Sequence, residues 1–68
     1  MKLLYVNAYL IFGGVFLEVE LPAVVFREGR FYVAFCPVNS VASQGKNVEE
    51  ALKNLKEALE LYYEDEEC

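Results

Sequence analysis

Two carboxylates in the first third of the chain have a spacing that could bind a divalent cation. Glu18 and Glu20 are separated by one residue in an alternating segment, so they would share one face of a strand. The chain has no His, which excludes His as general base and both Ser-His and Cys-His nucleophile pairs. Two carboxylates lack a third ligand, so we expect a solvated strand face, no metal and no catalytic residue. The alternative is a metal-dependent RNA-cleaving enzyme that needs Glu18.

The two cysteines offer little further chemistry. Cys36 and Cys68 are too few for a disulfide framework, and Cys68 is the last residue, where chain ends fray. Two thiols without His do not make a structural zinc site. Cys36 ends an apolar segment, so we expect it to be buried as a small hydrophobic side chain. Gly13-Gly14 lacks the spacing of a phosphate-binding loop, and we therefore predict no cofactor.

Strand-like segments fill the chain up to Cys36. Residues 3–12 are apolar on both alternating faces, and residues 15–21 alternate apolar with polar side chains. Pro22 cannot donate to a ladder, so it marks an edge position or a bulge. Glu28-Gly29 predicts a tight hairpin turn, because Gly tolerates a positive φ.

The segment after this turn predicts a strand with two apolar faces. Phe31, Val33 and Phe35 would point one way, and Tyr32, Ala34 and Cys36 the other. Strands that are apolar on both faces are usually covered on both. We therefore expect the helix of the same chain on one face and a second copy of the chain on the other.

A C-terminal helix is predicted from Val48 to about Tyr63. Asn47 can cap it, and Glu50 stands at the position that completes a capping box. An apolar stripe at helical spacing would face the sheet; it consists of Val48, Leu52, Leu55, Leu59 and Tyr62. These patterns predict an α+β fold, with an antiparallel sheet of two to three strands packed on one C-terminal helix in the order β-β-β-α.

Residues 37–46 are predicted to be a loop between the last strand and the helix. Ser40, Ser43 and Gln44 in this loop can be binding contacts or turn and cap residues, and both interpretations stay open. We expect Gly45 to adopt a positive φ near the helix start.

Size and charge favour a protein partner. The chain has 68 residues, 56% of them hydrophobic, and a single small domain cannot hide that much apolar surface. The formal net charge of the whole chain is −5, and residues 47–68 hold eight acids and only two lysines. This acidic segment favours a basic partner and disfavours nucleic acid. Five Tyr could stack bases, but only Arg27, Arg30 and Lys46 would lie beside them, so we expect no direct nucleic-acid binding.

The uncharged segment near the start of the chain raises the question of a membrane or secretion signal. Residues 3–17 follow Lys2 and carry no charge, but 15 residues are too few to span a bilayer as a helix. Gly13-Gly14 interrupts the segment, and no small-x-small cleavage site follows it. We expect a cytoplasmic protein without a membrane association.

Three consecutive segments together resemble the HicB antitoxin family. They are Phe31-Tyr32-Val33-Ala34-Phe35-Cys36-Pro37, then Val41-Ala42-Ser43-Gln44-Gly45-Lys46, then the helical run from Glu49 to Tyr62. The resemblance covers about residues 15–64 and joins strand, loop and helix in the family's order. The loop Pro37–Val41 departs from the family's usual Asp-Leu-Pro-Gly, and Asn47 stands where Thr is common. The segments that carry the resemblance do not include the family's DNA-binding domain, so operator binding is not carried over.

The resemblance implies a partial RNase H-like fold and an antitoxin that neutralises a small basic HicA-type mRNA interferase. The alternative is a solitary homodimeric structural or regulatory module without a toxin. The resemblance also divides the chain into an N-terminal extension or extra strand (1–14), a HicB-like domain (15–64) and an acidic tail (65–68). Candidate partner-binding residues come from the second strand face, the loop and the helix: Tyr32, Ala34, Ser40, Ser43, Gln44 and Leu61.

Overall fold

Four antiparallel strands and one helix form the chain. The computed structural model describes residues 2–12 and 14–62, and Gly13, Cys68 and the predicted acidic tail 65–68 lie outside the described residues. The strands are ordered β1-β2-β3-β4 in one sheet, so each pairs with its neighbour in sequence. The elements are β1 (Lys2–Phe12), β2 (Val15–Glu28), β3 (Phe31–Cys36), β4 (Val41–Gly45) and α1 (Val48–Tyr62).

The predicted fold of two to three strands in the order β-β-β-α is wrong, because the sheet has four strands and the order is β-β-β-β-α. The missed strand is β4, which we expected to be part of a loop over residues 37–46. Its sequence Val-Ala-Ser-Gln-Gly has only one β-branched residue and follows turn-forming residues. Pairing with β3, from Cys36↔Val41 to Tyr32↔Gly45, overrides that weak local preference.

Tight turns connect the strands in the described part of the chain. Gly29 has a φ of 64° at the first position of the two-residue β2–β3 turn, which confirms the predicted hairpin. Gly14 has a φ of 84° before β2. The β3–β4 turn contains Ser40 at a φ of 62°, and the Ser40 amide donates to the carbonyl of Cys36 over 2.8 Å.

β1 and β2 form a ribbon that is longer than the rest of the sheet. Their pairing runs from Lys2↔Val25 to Phe12↔Val15, whereas β2 pairs with β3 only from Val24 onward. Pro22 therefore lies where β2 has no partner on the β3 side, which agrees with its missing N–H. The boundary predicted between residues 14 and 15 falls at the β1–β2 turn, and the division into an N-terminal extension and a HicB-like domain stays a prediction.

The predicted cap begins α1, with one difference. The Glu50 amide donates to Asn47 Oδ1 over 2.7 Å, and the Ala51 amide donates to the Asn47 carbonyl over 3.0 Å. The Glu50 carboxylate accepts from the Lys46 amide over 2.6 Å, where a standard capping box would use the amide of the cap residue. The helix thus starts at the predicted residue through a shifted version of the motif.

The core lies between α1 and one face of the sheet. Ala51, Leu55 and Leu59 of α1 are fully buried, whereas Tyr62 at the end of the predicted stripe is exposed. Opposite them the sheet contributes mainly small side chains; the buried hydrophobic residues of the strands are Val6, Ala8, Ala23, Val25, Ala34 and Cys36. Small residues under the helix allow its close approach to the sheet.

Across the described chain, no helix combines the length and the apolar character that crossing a membrane requires.

Candidate protein-interaction surface

The face of the sheet that turns away from α1 is apolar and uncovered. Because side chains alternate along a strand, the residues between the core positions of β1, β2 and β3 all point to this side. We call it the open face; it consists of Leu3, Tyr5, Phe16, Pro22, Val24, Phe26, Phe31, Val33 and Phe35. Exposure reaches 59% at Tyr5, 71% at Phe16 and 43% at Phe31. Aromatic side chains left this open to water are typical of an interaction surface.

Polar residues lie at the two ends of the open face. Glu18 and Glu20 share it near the β1–β2 turn, opposite Tyr9 and Asn7 respectively, and both carboxylates are exposed. Arg30 lies in the β2–β3 turn at the other end and is also exposed. The middle of the face, on β1, β2 and β3, carries no charged side chain among the described residues.

The distal part of the β1–β2 ribbon extends beyond the helix. Phe16 is exposed on the open face, and Val15 and Leu17 are exposed on the opposite side. The molecule is elongated as a result, with principal dimensions of 40 × 22 × 17 Å. We call residues 14–20, with the paired part of β1, the arm. Val15, Phe16 and Leu17 at its end are between 44% and 71% exposed.

The helix covers parts of both sheet edges. At the β1 edge, the Tyr9 amide donates to Glu60 Oε2 over 3.2 Å, and Lys56 Nζ lies 5.5 Å from the centroid of the Tyr9 ring. At the β4 edge, Asn54 Nδ2 donates to the main-chain carbonyl of Gln44 over 2.9 Å. Exposed edges invite pairing with other strands, and these contacts reduce that tendency. The open face, rather than an edge, is therefore the main surface left for a partner.

Gly45 joins β4 to the helix through a close approach. A β-carbon at this position would lie 2.6 Å from the backbone nitrogen of Ala51 and 2.8 Å from the β-carbon of Glu50. The φ of Gly45 is not positive, so the predicted reason for this glycine is wrong. Space, and not backbone conformation, requires glycine here.

The candidate partner-binding residues do not form one surface. Tyr32 is half-buried on the helix side, in a shallow cleft with Lys2 and Arg27, and Ala34 is fully buried beneath the helix. Ser43 is half-buried on the same side as Ala34, its partner in the register.

The remaining three candidates are exposed but far apart in the fold. Ser40 lies in the β3–β4 turn, Gln44 lies on the open side of β4, and Leu61 lies near the end of α1 with 70% exposure. The structure therefore places only Gln44 beside the apolar open face.

The residues that form the open face were missed because both faces of β3 are apolar. One signal in the sequence could have identified it. Ala8, Ala23 and Ala34 all lie on the face that α1 covers, whereas Phe31 and Phe35 lie on the other. A helix packs closely on small residues, so the face with the larger side chains is the one left open.

The carboxylates and the cysteine that the sequence offers for chemistry lie in separate parts of the fold. No group of three or more potential metal ligands occurs in residues 2–12 and 14–62. Glu18 and Glu20 are exposed on one strand face, as expected, and Cys36 is fully buried as a free thiol. A buried thiol in an apolar core is unsuited to nucleophilic chemistry.

Comparison with known proteins identifies one informative relative. A UPF0150 protein from Helicobacter pylori (strain J99) is 50% identical to this chain over 47 residues. The match covers 68% of this chain and 65% of the relative, so the chain spans just under two thirds of the relative's length. No protein-family model and no solved structure matches the chain. The chain is therefore similar to a UPF0150 protein, and its resemblance to HicB antitoxins stays a prediction.

Proposed function

We propose that this protein is a HicB-like antitoxin that binds and neutralises a small, basic HicA-type mRNA interferase in the cytoplasm. It has no catalysis of its own in this proposal. The support comes from the three segments between Phe31 and Tyr62 that resemble HicB antitoxins. The similarity to a UPF0150 protein is compatible with this proposal, although that name assigns no activity.

The observation that carries the proposal is the separation of apolar and acidic surface on opposite sides of the molecule. The sheet presents the apolar open face, whereas the outer side of α1 exposes Glu49 and Glu57. Lys53 and Lys56 offset part of this charge, but the sequence continues with four acids in residues 64–67. The side of the molecule formed by α1 therefore carries a net negative charge, which attracts a basic protein.

A ribonuclease that acts on mRNA needs positive charge where it holds the phosphate backbone. An acidic helix surface competes with RNA for that charge and accelerates the encounter of the two proteins. Buried contacts then determine how long the complex persists. This division of roles explains how a protein without catalytic residues could block an enzyme.

The direct test is co-expression with the small basic protein encoded by a neighbouring reading frame. We expect the two proteins to co-purify and RNA cleavage by the partner to stop when this chain is added. Glu57→Lys should slow association several-fold, and added salt should reduce the difference. Glu28→Lys is the matched control, because it makes the same charge change in an exposed residue next to the β2–β3 turn.

The antitoxin role is excluded if the neighbouring protein does not co-purify with this chain and still cleaves RNA when this chain is added. The second candidate would then apply: a solitary homodimeric module without a toxin. The uncharged centre of the open face favours this candidate, because two identical surfaces can pair there without bringing like charges together.

A further inference from the structure

The open face exposes large aromatic side chains to water. Tyr5, Phe16 and Phe31 are between 43% and 71% exposed. At 150–250 Å² per aromatic side chain, these three leave roughly 350 Å² of mostly apolar surface in water. The largest apolar patch of a typical monomer covers about 300–600 Å² and is often functional, and a standard interface buries about 800 Å² on each partner. Leu3 and the half-buried residues of β2 and β3 add to the area.

The two ends of the open face carry charges of opposite sign. Glu18 and Glu20 lie on the arm, whereas Arg30 and Lys46 lie at the opposite end of the sheet. Lys46 follows Gly45, whose pairing with Tyr32 places it beside the β2–β3 turn. Eight residues of strand separate Glu20 from Glu28 at that turn, about 26 Å at 3.3 Å per residue. Glu28 offsets one of the positive charges at that end.

We propose that the open face binds a second copy of this chain with the long axes of the two copies antiparallel. The twofold axis would run between the two sheets, perpendicular to the strands. Glu18 and Glu20 of each copy would then face Arg30 and Lys46 of the other, twice by symmetry. A parallel arrangement would place the acidic arms against each other, and like charges at an interface oppose it.

This pairing does not rest on the antitoxin proposal. It uses the sheet face and leaves the outer side of α1 free, so the dimer forms whether or not a toxin exists. The two proposals therefore fail separately: mass measurements on the purified chain test the dimer, and co-purification tests the toxin.

The experiment measures the self-association of the full chain by sedimentation equilibrium at low salt and at several concentrations. We expect a mass twice the 7.8 kDa of one chain. The double variant Glu18→Lys/Glu20→Lys should raise the dimer dissociation constant about tenfold or more, because attraction becomes repulsion at two symmetric places. Arg30→Glu/Lys46→Glu should do the same.

A restoring variant distinguishes orientation from general charge effects. All four substitutions in one chain should return the dissociation constant close to that of the original chain, because opposite charges again face each other. An equimolar mixture of the two double variants should form a mixed dimer. Glu49→Lys/Glu57→Lys is the matched control, with the same charge change on exposed helix residues, and should leave association unchanged.

Circular dichroism of each variant verifies that it is folded. We expect folding to be retained because the substituted side chains are exposed. A monomer at every concentration up to about 100 μM, corresponding to a free energy weaker than roughly 5.5 kcal/mol, would overturn the proposal. A dimer that is insensitive to both double variants, or is not restored by the fourfold one, would also overturn it.

Discussion

The backbone nitrogen of Ala51 lies 2.6 Å from the point that a β-carbon on Gly45 would occupy. No side chain larger than hydrogen fits between the end of β4 and the first turn of α1. The contact is with backbone, which cannot turn aside as a flexible side chain could. The junction between sheet and helix therefore depends on one missing methyl group.

Gly45→Ala should therefore destabilise the protein by about 1–3 kcal/mol, the usual cost of overpacking a close contact. Urea unfolding at a fixed protein concentration measures this change. Gly29→Asn is the control, since Asn tolerates a positive φ and a β-carbon at Gly29 meets no atom within 4 Å. Equal stability of Gly45→Ala and the original chain would show that the helix start can shift.

Leu55→Ala should lower the free energy of unfolding by about 2–5 kcal/mol, because Leu55 is fully buried between α1 and the sheet. Leu61→Ala removes the same atoms from a side chain that is 70% exposed and should change stability by no more than about 0.5 kcal/mol. Thermal unfolding of both variants compares the two. Similar losses at the two positions would contradict the assigned helix face.

Asn47→Ala should cost about 1 kcal/mol, because the Glu50 amide loses the side-chain acceptor that caps the helix. Asn47→Asp keeps an acceptor at the same position and should retain most of the stability. Helix content and the midpoint of urea unfolding measure the difference. A loss of equal size in both variants would mean that the cap is not the cause.

Tyr5→Ser should weaken self-association at least about tenfold, because it removes an aromatic contact from the centre of the proposed interface. Val38→Ser is the matched control: Val38 is 61% exposed and Tyr5 is 59% exposed, but Val38 lies in the β3–β4 turn. Light scattering over a dilution series gives both dissociation constants. If the two variants weaken association equally, the interface does not lie on the open face.

The helix was predicted well from sequence because its signals are local. Asn47 and Glu50 identify its start, and the spacing of Leu55 and Leu59 identifies its buried side. Strand β4 was missed because residues 41–45 have little intrinsic preference for a strand and gain it only by pairing with β3. Such pairing depends on contacts that sequence patterns do not encode locally.

The sequence also predicts a surplus of apolar strand surface, but it does not predict which face of the sheet stays uncovered by the helix. The sequence predicts Tyr32 and Ala34 as binding residues, yet the helix packs on their side of β3. Alternation defines two faces and leaves open which one a helix covers when both are apolar. The size of the side chains carries that information, and it becomes decisive only when neighbouring strands are placed in register.

The order of the strands has a kinetic consequence. Every strand pairs with its sequence neighbour across turns of two to four residues, so no long segment must be closed before contacts form. Chains with such local pairing fold faster than those with distant pairing. A newly made chain should therefore complete its sheet and dock its helix as a single molecule before it meets another copy. In the proposed dimer, the association of two folded chains is then the slower, concentration-dependent step.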